Sequence, residues 1–415
     1  MKDLYLLTTG YPYPAKSMET YLETEVKYYS NFRTVKILAM GVRKNTLNQK
    51  REVPGENIEV YPILFGSKLY YIFNGFRALL DSNFYKEVYN LAKNRRLTLR
   101  RLVRLIIYVS RSHTDCKKII KALRLKKGRK VKDAVLYSYR FEYQPYVMCL
   151  LEKYFDQPKM IARAHRYDLY EERNSDLYIP MRKFLLKKLN KLYLISENGK
   201  KYLANKFPEF EHKFSVSRLG TLNSKQKSFA GKDSFIRIVS CSNMVPIKRI
   251  DLIIEALRQI KDIKIEWVHF GAGEKEKEIK NLAKIKLMGN VDYIFKGKVP
   301  NEKILDYYSN TDVDLFINLS ESEGIPVSIM EAMSFGIPCI ATDVGGTREI
   351  VRDSFNGYLL QEGDSVSNAA ASAIMRFSKL PAEKQKELRL HAREYWNNYY
   401  NADKNYRTFV AELLS

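Results

Sequence analysis

At 415 residues, with 45% hydrophobic and 13% aromatic residues, the chain is long enough for two domains of about 200 residues each, and its composition excludes a disordered or low-complexity protein. The 71 lysines and arginines outnumber 47 acids and give a net charge of +24, which favours a partner that carries phosphate, such as a lipid surface, a lipid-linked ligand or nucleic acid. No stretch reaches the roughly 20 apolar residues that span a bilayer, and the N-terminal residues resemble a strand rather than a signal peptide. The four cysteines show no metal-binding spacing, so we expect reduced thiols in a cytoplasmic protein.

Short runs of β-branched and aromatic residues alternate with longer helical patterns along the chain. In the first half the predicted strands are residues 4–8, 35–40, 135–139, 160–164, 192–195 and 214–217. In the second half they are residues 236–241, 264–270, 292–295, 315–318, 338–342 and 358–360. Helices are predicted between them, including residues 250–260, 274–284 and 301–309. Alternation of this kind predicts parallel sheets covered by helices on both faces, as in doubly wound, Rossmann-like α/β domains.

A polar stretch that contains glycine and serine, residues 219–234, interrupts the alternation and is interpreted as a linker. It separates a predicted N-terminal domain, 1–218, from a predicted C-terminal domain, 235–395. Ligands of such domains bind outside the carboxyl ends of the strands, so we expect a cleft where the two sheets face each other. The aromatic final stretch, 396–415, is predicted to form a helix that crosses back to the first domain and packs near the linker.

Positive charge is concentrated in residues 93–132, which contain sixteen lysines and arginines and a single acid, Asp115. Between residues 97 and 109, leucine, isoleucine and valine interleave with arginine, which predicts a basic amphipathic helix of the membrane-surface type. The functional hypothesis is peripheral docking on the anionic inner face of the cell membrane. The alternative is a solvated helix packed on the first domain.

A candidate anion site follows the predicted strand 315–318. The chain reads Glu-Ser-Glu-Gly-Ile-Pro-Val-Ser from Glu321, so it turns at a glycine and then starts a helix. Pro326 suits the first helical turn, where its missing N–H is not needed. The amides near Val327 and Ser328 then have no partner within the helix, and the positive end of the helix dipole lies behind them.

Two glutamates, Glu323 and Glu331, flank this helix start at a separation of eight positions, roughly 12 Å along a helix. They are too far apart to act as an acid and a base on one bond. A ligand that reaches both would be long, with a phosphate between two hydroxyl-bearing parts, and a nucleotide-sugar fits that description. The alternative is an amphipathic helix with two solvated glutamates.

The gapless string from Glu323 through Glu331 to Val351, with Gly-Ile-Pro at 336–338 and Asp-Val-Gly-Gly at 343–346, closely resembles glycosyltransferase family 4. The resemblance covers most of the second half. It implies the GT-B fold, two Rossmann-like domains that face a cleft, and a retaining mechanism without a protein nucleophile. It also implies that Glu323 holds hydroxyls of the donor sugar and Glu331 the nucleotide ribose. The implied pyrophosphate-binding segment consists of Gly324, Ile325, Pro326, Val327 and Ser328.

A second segment of the resemblance lies just after the predicted strand 236–241. Family members usually carry an arginine and a lysine here, five residues apart, that clamp the donor diphosphate. Lys248 matches the lysine, Asn243 stands at the arginine position, and the adjacent Arg249 is a candidate for replacing the lost charge. All three are assigned to the donor site. The alternative for Lys248 is an ordinary surface charge at the edge of a loop.

Two further stretches are assigned to the donor through the resemblance. Gly271 and Gly273 form a glycine turn after a predicted strand and match a family segment near the nucleotide, while a plain strand turn explains the same pattern. Lys298 and Val299 match the segment whose backbone reads the base.

In the first half, residues 9–14 and 19–25 resemble the loop and first helix of family members that act on surface polysaccharides. The loop after the first strand and the start of the first helix are expected to bind the acceptor through Gly10, Tyr11, Tyr13 and Glu19. In the family this loop often contains extra glycines, whereas residues 15–18 here read Ala-Lys-Ser-Met.

His165 follows a predicted strand and resembles the histidine with which the family touches the donor sugar. It completes the expected catalytic set, which also contains Glu323 and Lys248. The alternative for a single loop histidine is that it has no special role.

Asp312 and Asp314 form an Asp-x-Asp, the metal motif of a different glycosyltransferase fold. Because the pair leads directly into a predicted buried strand, strand entry is the favoured interpretation. Neither a catalytic metal nor another cofactor is expected.

These features lead to one hypothesis and two alternatives. The hypothesis is a retaining glycosyltransferase that moves a hexose-type sugar from a nucleotide-sugar, with a UDP-sugar favoured, to a lipid-linked saccharide acceptor in the synthesis of bacterial capsule, O-antigen or exopolysaccharide. The alternatives are a catalytically silent glycosyltransferase-like subunit, suggested by Asn243, and a basic nucleic-acid-binding protein. The last lacks any zinc spacing or RNA-binding signature, so nucleic acid is not the expected partner.

Overall fold

The computed structural model describes residues 1–14, 19–222, 235–287, 289–363 and 365–415. The chain divides into two compact units, one of Met1–Ser217 with Tyr406–Ser415 and one of Arg218–Asn405. Most of the predicted linker, 223–234, lies outside the described residues, and so does the loop segment 15–18.

The first unit is built on a seven-stranded parallel sheet. Its strands are β1 (Asp3–Thr8), β2 (Val35–Val42), β3 (Ile58–Leu64), β4 (Ala134–Ser138), β5 (Lys159–Ala164), β6 (Lys191–Leu194) and β7 (Phe214–Val216). Its helices are α1 (Thr20–Glu25), α2 (Lys68–Phe73), α3 (Phe76–Leu79), α4 (Ser82–Lys93), α5 (Leu99–Ala122), α6 (Gln144–Leu151), α7 (Arg182–Lys188) and α8 (Glu197–Lys206). The strand order β3-β2-β1-β4-β5-β6-β7 reverses between β1 and β4. In such sheets the carboxyl ends of the two strands at the reversal open a crevice for a ligand.

Strand β3 is the one strand of this sheet that the sequence pattern does not predict. It contains Pro62, and only Ile63 among its seven residues is buried. The structure places β3 at the edge of the sheet, where it pairs with β2 alone. Proline is tolerated there because its missing N–H faces away from the ladder.

The second unit contains a six-stranded parallel sheet of order β10-β9-β8-β11-β12-β13. Its strands are β8 (Phe235–Cys241), β9 (Lys264–Phe270), β10 (Val291–Gly297), β11 (Leu315–Asn318), β12 (Cys339–Thr342) and β13 (Gly357–Leu360). Its helices are α9 (Ile250–Leu257), α10 (Glu276–Lys286), α11 (Asn301–Asn310), α12 (Val327–Ser334), α13 (Val366–Ser378) and α14 (Ala382–Tyr399). All six strands lie where the sequence predicts them, because each contains a short run rich in apolar residues. Strands β11 and β12 are buried throughout, whereas the edge strand β10 buries only Val291.

The C-terminal stretch differs from the single helix predicted for 396–415. Helix α14 continues to Tyr399, and a separate helix, α15 (Ala402–Leu414), follows. Asn401 accounts for the break, because its side-chain oxygen accepts the amide of Asp403 at 3.0 Å and caps the new helix. The amide of Ala402 donates to the carbonyl of Thr221. From Tyr406 onward the chain belongs to the first unit, whose core includes three residues of α15: Phe409, Val410 and Leu413.

Helix α5 carries much of the basic segment predicted from the sequence, but most of its apolar residues face inward, and among the large ones only Leu99 and Val103 at its start are exposed. Leu105, Val109 and Ile119 are fully buried in the core of the first unit. Arg111 stacks on the ring of Tyr143, with 3.8 Å between guanidinium and ring centroid. These contacts favour the alternative interpretation, a helix packed on its own domain. In the described parts of the chain, no helix combines the length and the apolar character needed to cross a membrane.

Candidate functional site

In the second unit the strand order reverses between β8 and β11, so the loops that follow these two strands share one crevice. After β8 the chain forms a short 3-10 turn at Pro246–Lys248 and then α9, whereas after β11 it forms a loop that leads into α12. The amide of Glu321 donates to the carbonyl of Ile247 at 2.9 Å and joins the two loops. The topology thus brings both segments of the family resemblance to one place.

Lys248 and Glu323 meet between these loops. The ammonium of Lys248 lies 2.5 Å from Oε1 of Glu323, and the side-chain amide of Asn318 lies 3.4 Å from the same oxygen. Glu323 is 9% exposed, so water screens the pair only weakly. The ammonium can bind a phosphate, and the carboxylate can accept hydrogen bonds from sugar hydroxyls. The structure therefore joins two of the three residues expected to be catalytic, although 75 positions separate them in the chain.

Helix α12 begins directly after this loop, with Pro326 at its N-cap, one position before the first turn. The amides of Val327 and Ser328 have no acceptor one turn earlier, as at the start of any helix. Both residues are partly exposed, while Ile325 is buried in the core and anchors the loop. The positive end of the helix dipole adds to the charge of the nearby lysine, so this side of the crevice suits an anion.

The glycine pair at 345–346 supports the loop that carries Glu323. A Cβ on Gly345 would lie 2.0 Å from the carbonyl oxygen of Glu323, and the backbone has φ +57 there. The amide of Gly346 donates to the carbonyl of Gly324 at 2.8 Å. Both glycines lie within the string that carries the resemblance, but their role as packing partners of the loop depends on contacts that the sequence does not show.

Gly271 and Gly273 allow two backbone segments to pack closely. A Cβ on Gly271, where φ is +142, would lie 1.8 Å from the carbonyl oxygen of Ser242, and a Cβ on Gly273 would lie 2.5 Å from that of Met244. The amide of Met244 donates to the carbonyl of Ala272 at 3.0 Å. Loop packing is thus sufficient to explain these two glycines, which indirectly position the loop that contains Lys248. Their contact with a nucleotide stays a prediction.

Asn243 and Arg249 occupy different surroundings in the loop after β8. Asn243 is exposed. The guanidinium of Arg249 lies 3.1 Å from Asp251 and 3.9 Å from Glu321. It lines a pocket of about 330 Å³ together with residues such as Lys275. Because two carboxylates already neutralise Arg249, its proposed replacement of the family arginine requires that these ion pairs break.

Glu331 lies two turns into α12 and accepts a hydrogen bond from the side-chain amide of Asn301 at 2.8 Å. Burial raises the pKa of its carboxyl to about 7, against the opposing effect of this hydrogen bond. Lys298 is exposed, and Val299 packs at the edge of the neighbouring core. The ribose contact of Glu331 and the base contacts of the other two residues stay predictions.

In the first unit the crevice opens between β1 and β4, and Glu19 organises the loop beside it. Its carboxylate accepts the backbone amides of Thr9, Gly10 and Tyr11 at 2.9, 3.0 and 3.0 Å. Tyr11 and Tyr13 are buried, and their rings pack among core residues of the first unit. This packing is sufficient to explain both rings, and their contact with an acceptor stays a prediction.

Replacing Glu19 by alanine should lower the free energy of unfolding by about 3 kcal/mol, because it leaves buried amides without acceptors. Thermal melting measures the loss. The matched control is Glu23→Ala on the same helix, which removes a half-exposed partner of Arg51 and should cost less than about 1 kcal/mol. Equal losses in the two variants would show that the Glu19 carboxylate does not hold the loop.

His165 lies at the carboxyl end of β5 with both ring nitrogens buried, and its Nδ1 lies 3.6 Å from Oδ2 of Asp168, slightly beyond hydrogen-bond length. Burial, reinforced by the charge of Arg140, lowers its pKa to about 4. The imidazole is therefore neutral at physiological pH and can donate from one nitrogen and accept at the other. Its contact with the donor sugar stays a prediction.

Asp168 and Glu142 are two acids of this crevice that the sequence reasoning does not assign. Asp168 accepts the amides of His165 and Phe141, each at 2.8 Å, and so joins the loops after β4 and β5. Burial and the charge of Asp168 raise the pKa of Glu142, although Arg140 opposes the shift. The sequence does contain a signal for Asp168, because it lies three positions after His165. Nothing in the local sequence around Glu142 distinguishes it from a surface acid.

The Asp-x-Asp lies at the amino end of β11, opposite to the crevice. Arg389 donates to the carboxylate of Asp314 at 2.7 Å, and the backbone amide of Arg237 donates to its other oxygen at 2.9 Å. The geometry therefore favours a structural role for this pair at the start of β11. Within the described ranges, no three His, Cys, Asp or Glu side chains lie close enough to hold a metal ion.

Residues 223–395 match the family model for glycosyl transferases group 1. The match falls entirely within the second unit and includes the loops that carry Lys248 and Glu323.

Two curated relatives that match the chain are named as glycosyltransferases. The chain is 29% identical over 213 residues to the amylovoran biosynthesis glycosyltransferase AmsK of Erwinia amylovora, over 49% of this chain and 50% of AmsK. It is 27% identical over 197 residues to WcaL of Escherichia coli K12, named for colanic acid biosynthesis, over 46% of this chain and 48% of WcaL. The chain thus matches about half the length of these relatives.

Among solved structures, the chain is similar to TarM of S. aureus, which was crystallised as a variant with Fondaparinux, alpha-GlcNAc-glycerol and UDP. The match covers 100% of both chains, with a TM-score of 0.64 and 14% identity. At this identity the likeness concerns the fold. The two units are Rossmann-like domains of the GT-B type.

Proposed function

We propose that this protein is a glycosyltransferase that moves a sugar from a nucleotide-sugar to a saccharide acceptor in the synthesis of a bacterial surface polysaccharide. The observation that carries the proposal is the Lys248–Glu323 pair beside the free amides of α12, at the strand reversal of the second unit. The match to glycosyl transferases group 1 covers the same residues. The names of the relatives, amylovoran and colanic acid biosynthesis, support the polysaccharide context.

The proposed chemistry is departure of a nucleoside diphosphate from the anomeric carbon. Negative charge grows on the leaving phosphate, and the Lys248 ammonium and the α12 amides are already in place to stabilise it. In the free protein Glu323 neutralises Lys248. A bound diphosphate would compete for the ammonium, and the released carboxylate would accept hydroxyls of the sugar. We further propose retention of configuration, with the acceptor attacking from the leaving-group side and no protein nucleophile.

A thermal-shift screen with UDP, GDP, ADP and CMP tests the nucleotide part of this proposal. A nucleotide that binds only the folded protein raises the melting temperature through linkage. We propose that UDP gives the largest shift, as the leaving group of a UDP-hexose. A panel without any shift would contradict a nucleotide-sugar site.

The pKa of Glu331 predicts a pH dependence of nucleotide binding. Because burial raises this pKa to about 7, the carboxyl takes up a proton as the pH falls through that value, and it must lose the proton again to accept ribose hydroxyls. We expect calorimetry to show weaker UDP binding at about pH 6 than at about pH 8. The titration of UDP itself is common to wild type and Glu331→Gln, so the difference between the two proteins isolates Glu331. Identical pH profiles for the two proteins would contradict the proposed contact between Glu331 and the ribose.

The runner-up is a glycosyltransferase-like subunit without activity, and the observation that favours it is Asn243, which stands exposed where the family carries a charged clamp. Hydrolysis or transfer of a nucleotide-sugar by wild type, lost in Glu323→Ala, would exclude this alternative. Nucleotide binding without turnover of any donor would support it.

A further inference from the structure

The first unit presents an apolar surface to solvent on α2, α3, α4 and the start of α5. Of the 21 large hydrophobic side chains that are exposed in the described residues, 12 lie between positions 69 and 103. They are Leu69, Tyr70, Ile72, Phe73, Phe76, Leu79, Leu80, Tyr85, Tyr89, Leu97, Leu99 and Val103. A concentration of this kind on a folded domain marks an interaction site, because scattered apolar side chains need no partner but clustered ones do. We call it the 69–103 surface.

The helices α2 and α3, which carry much of this surface, pack closely against the rest of the first unit. Tyr71 in α2 and Ala78 in α3 are buried, and the hydroxyl of Tyr71 accepts the amide of Gly66 at 2.9 Å. Between the two helices, the backbone of Gly75 packs so closely that a Cβ would lie 2.9 Å from Ile106 of α5. One side of α2 and α3 is thus used for packing. The opposite side carries the most exposed residues, Phe73 at 81% and Leu80 at 82%.

The acids of the same stretch do not share this surface. Asp81 is buried and accepts hydrogen bonds from His113 at 2.6 Å and Tyr146 at 2.7 Å. Glu87 accepts one from the hydroxyl of Tyr178 at 2.8 Å. Both carboxylates are therefore engaged by groups of the first unit, and neither forms an ion pair with Lys86, Lys93, Arg95 or Arg100 among the described residues.

Four cations of the stretch are exposed and lack acidic partners in the described parts of the chain. Lys86, Lys93, Arg95 and Arg100 are all exposed, and none forms an ion pair or a side-chain hydrogen bond with the part of the chain that the structure describes. Arg96 differs, because it pairs with Glu171 at 3.2 Å. Four unpaired cations beside an apolar surface are complementary to a lipid surface with anionic headgroups, which offers both negative charge and an apolar interior.

The surface also starts at the carboxyl edge of the sheet. Helix α2 follows β3, and β3 runs parallel to β1 and β4, so its carboxyl end lies at the same edge as the crevice between those two strands. Two strand spacings, roughly 10 Å, separate β3 from β1. A membrane bound at the 69–103 surface would therefore lie near the proposed acceptor crevice.

We infer that the 69–103 surface binds an anionic lipid bilayer, with Phe73 and Leu80 inserted among the acyl chains and the four unpaired cations at the headgroups. Of α5, only the start belongs to this surface, through Leu99 and Val103, because apolar residues further along the helix, such as Leu105 and Val109, are buried. The inference does not depend on the proposed transferase activity, since the binding assay contains neither donor nor acceptor.

Vesicle flotation of the full chain tests the apolar contribution. Wild type should float with vesicles of phosphatidylcholine and phosphatidylglycerol, and should float poorly with phosphatidylcholine alone or at high salt. The double variant Phe73→Ser/Leu80→Ser should lower the partition coefficient at least about tenfold. The matched control is Ile285→Ser/Leu390→Ser, which changes exposed apolar residues of the second unit and should bind like wild type.

A second set of variants tests the charge. The triple variant Lys86→Gln/Lys93→Gln/Arg100→Gln should lower partitioning roughly a hundredfold, at about fivefold for each cation. Its control is Lys261→Gln/Lys303→Gln/Lys386→Gln, which removes three exposed lysines of the second unit and should have little effect. Melting curves confirm that each variant is folded, which is expected because all the changed side chains are exposed.

Three outcomes would overturn the inference. In the first, wild type does not float with anionic vesicles. In the second, the two sets of variants bind no worse than their controls. In the third, sedimentation velocity shows an oligomer that Phe73→Ser/Leu80→Ser dissociates while no protein floats, which would assign the 69–103 surface to contact with a second copy of the chain.

Discussion

Replacement of Lys248 by alanine is expected to lower kcat/KM for sugar transfer about a hundred- to a thousandfold, the usual cost of removing one group that stabilises charge in a transition state. The substitution removes the ammonium proposed to meet the leaving diphosphate. It also leaves the carboxylate of Glu323 without the cation that lies 2.5 Å away, so the crevice repels the phosphate. Steady-state kinetics with the donor identified by the nucleotide screen measures the effect.

Arg249→Ala is the matched control for this change. Arg249 is the next residue in the chain, but it pairs with Asp251 and Glu321 instead of Glu323. We expect its removal to lower kcat/KM less than about tenfold. If Arg249→Ala is the more damaging substitution, the cation that serves the diphosphate is Arg249, and the assignment of Lys248 is wrong.

Gly345→Ala is expected to destabilise the second unit by about 3 kcal/mol or more. The left-handed backbone at φ +57 costs about 1–2 kcal/mol for any residue with a Cβ. The clash of that Cβ with the carbonyl of Glu323, at 2.0 Å, adds the cost of displacing the loop. Because the displaced loop carries Glu323, activity should fall together with the melting temperature.

Gly297→Ala separates the clash from the backbone strain. Gly297 also has a left-handed backbone, at φ +66, but a Cβ there would meet no atom within 4 Å. This variant should lose only about 1–2 kcal/mol, the cost of the backbone strain, and keep its activity. Equal destabilisation by the two substitutions would show that the contact between Gly345 and the Glu323 loop has no special importance.

The sequence predicts much of the fold because most strands are short apolar runs between helical patterns. It misses β3, whose Pro62 and half-exposed residues give no such run. The sequence pattern also predicts one continuous last helix across Tyr400 and Asn401. An asparagine that caps a new helix cannot be distinguished, within an aromatic stretch, from a residue inside a helix. The neighbours of each strand in the sheet cannot be read from the pattern, so the contact of Lys248 with Glu323 depends on the resemblance and the structure.

The first unit shows a different limit of sequence reasoning. Tyr11, Tyr13 and Glu19 stand in the expected loop, but the two rings are buried and the carboxylate holds backbone amides. Sequence type alone does not separate a residue that touches a ligand from one that shapes the loop. Similarly, an apolar run such as 69–80 indicates a buried segment, and only the structure shows that most of its side chains are exposed.

The central claim is that the loops after β8 and β11 form a nucleotide site in the second unit. Hydrogen–deuterium exchange with and without saturating UDP tests it most directly, because it reports on individual backbone segments. We predict that UDP slows exchange at 242–249 and at 321–331, including the amides at the start of α12. Protection that is absent from both segments while UDP binds, or that is confined to the first unit, would contradict the claim.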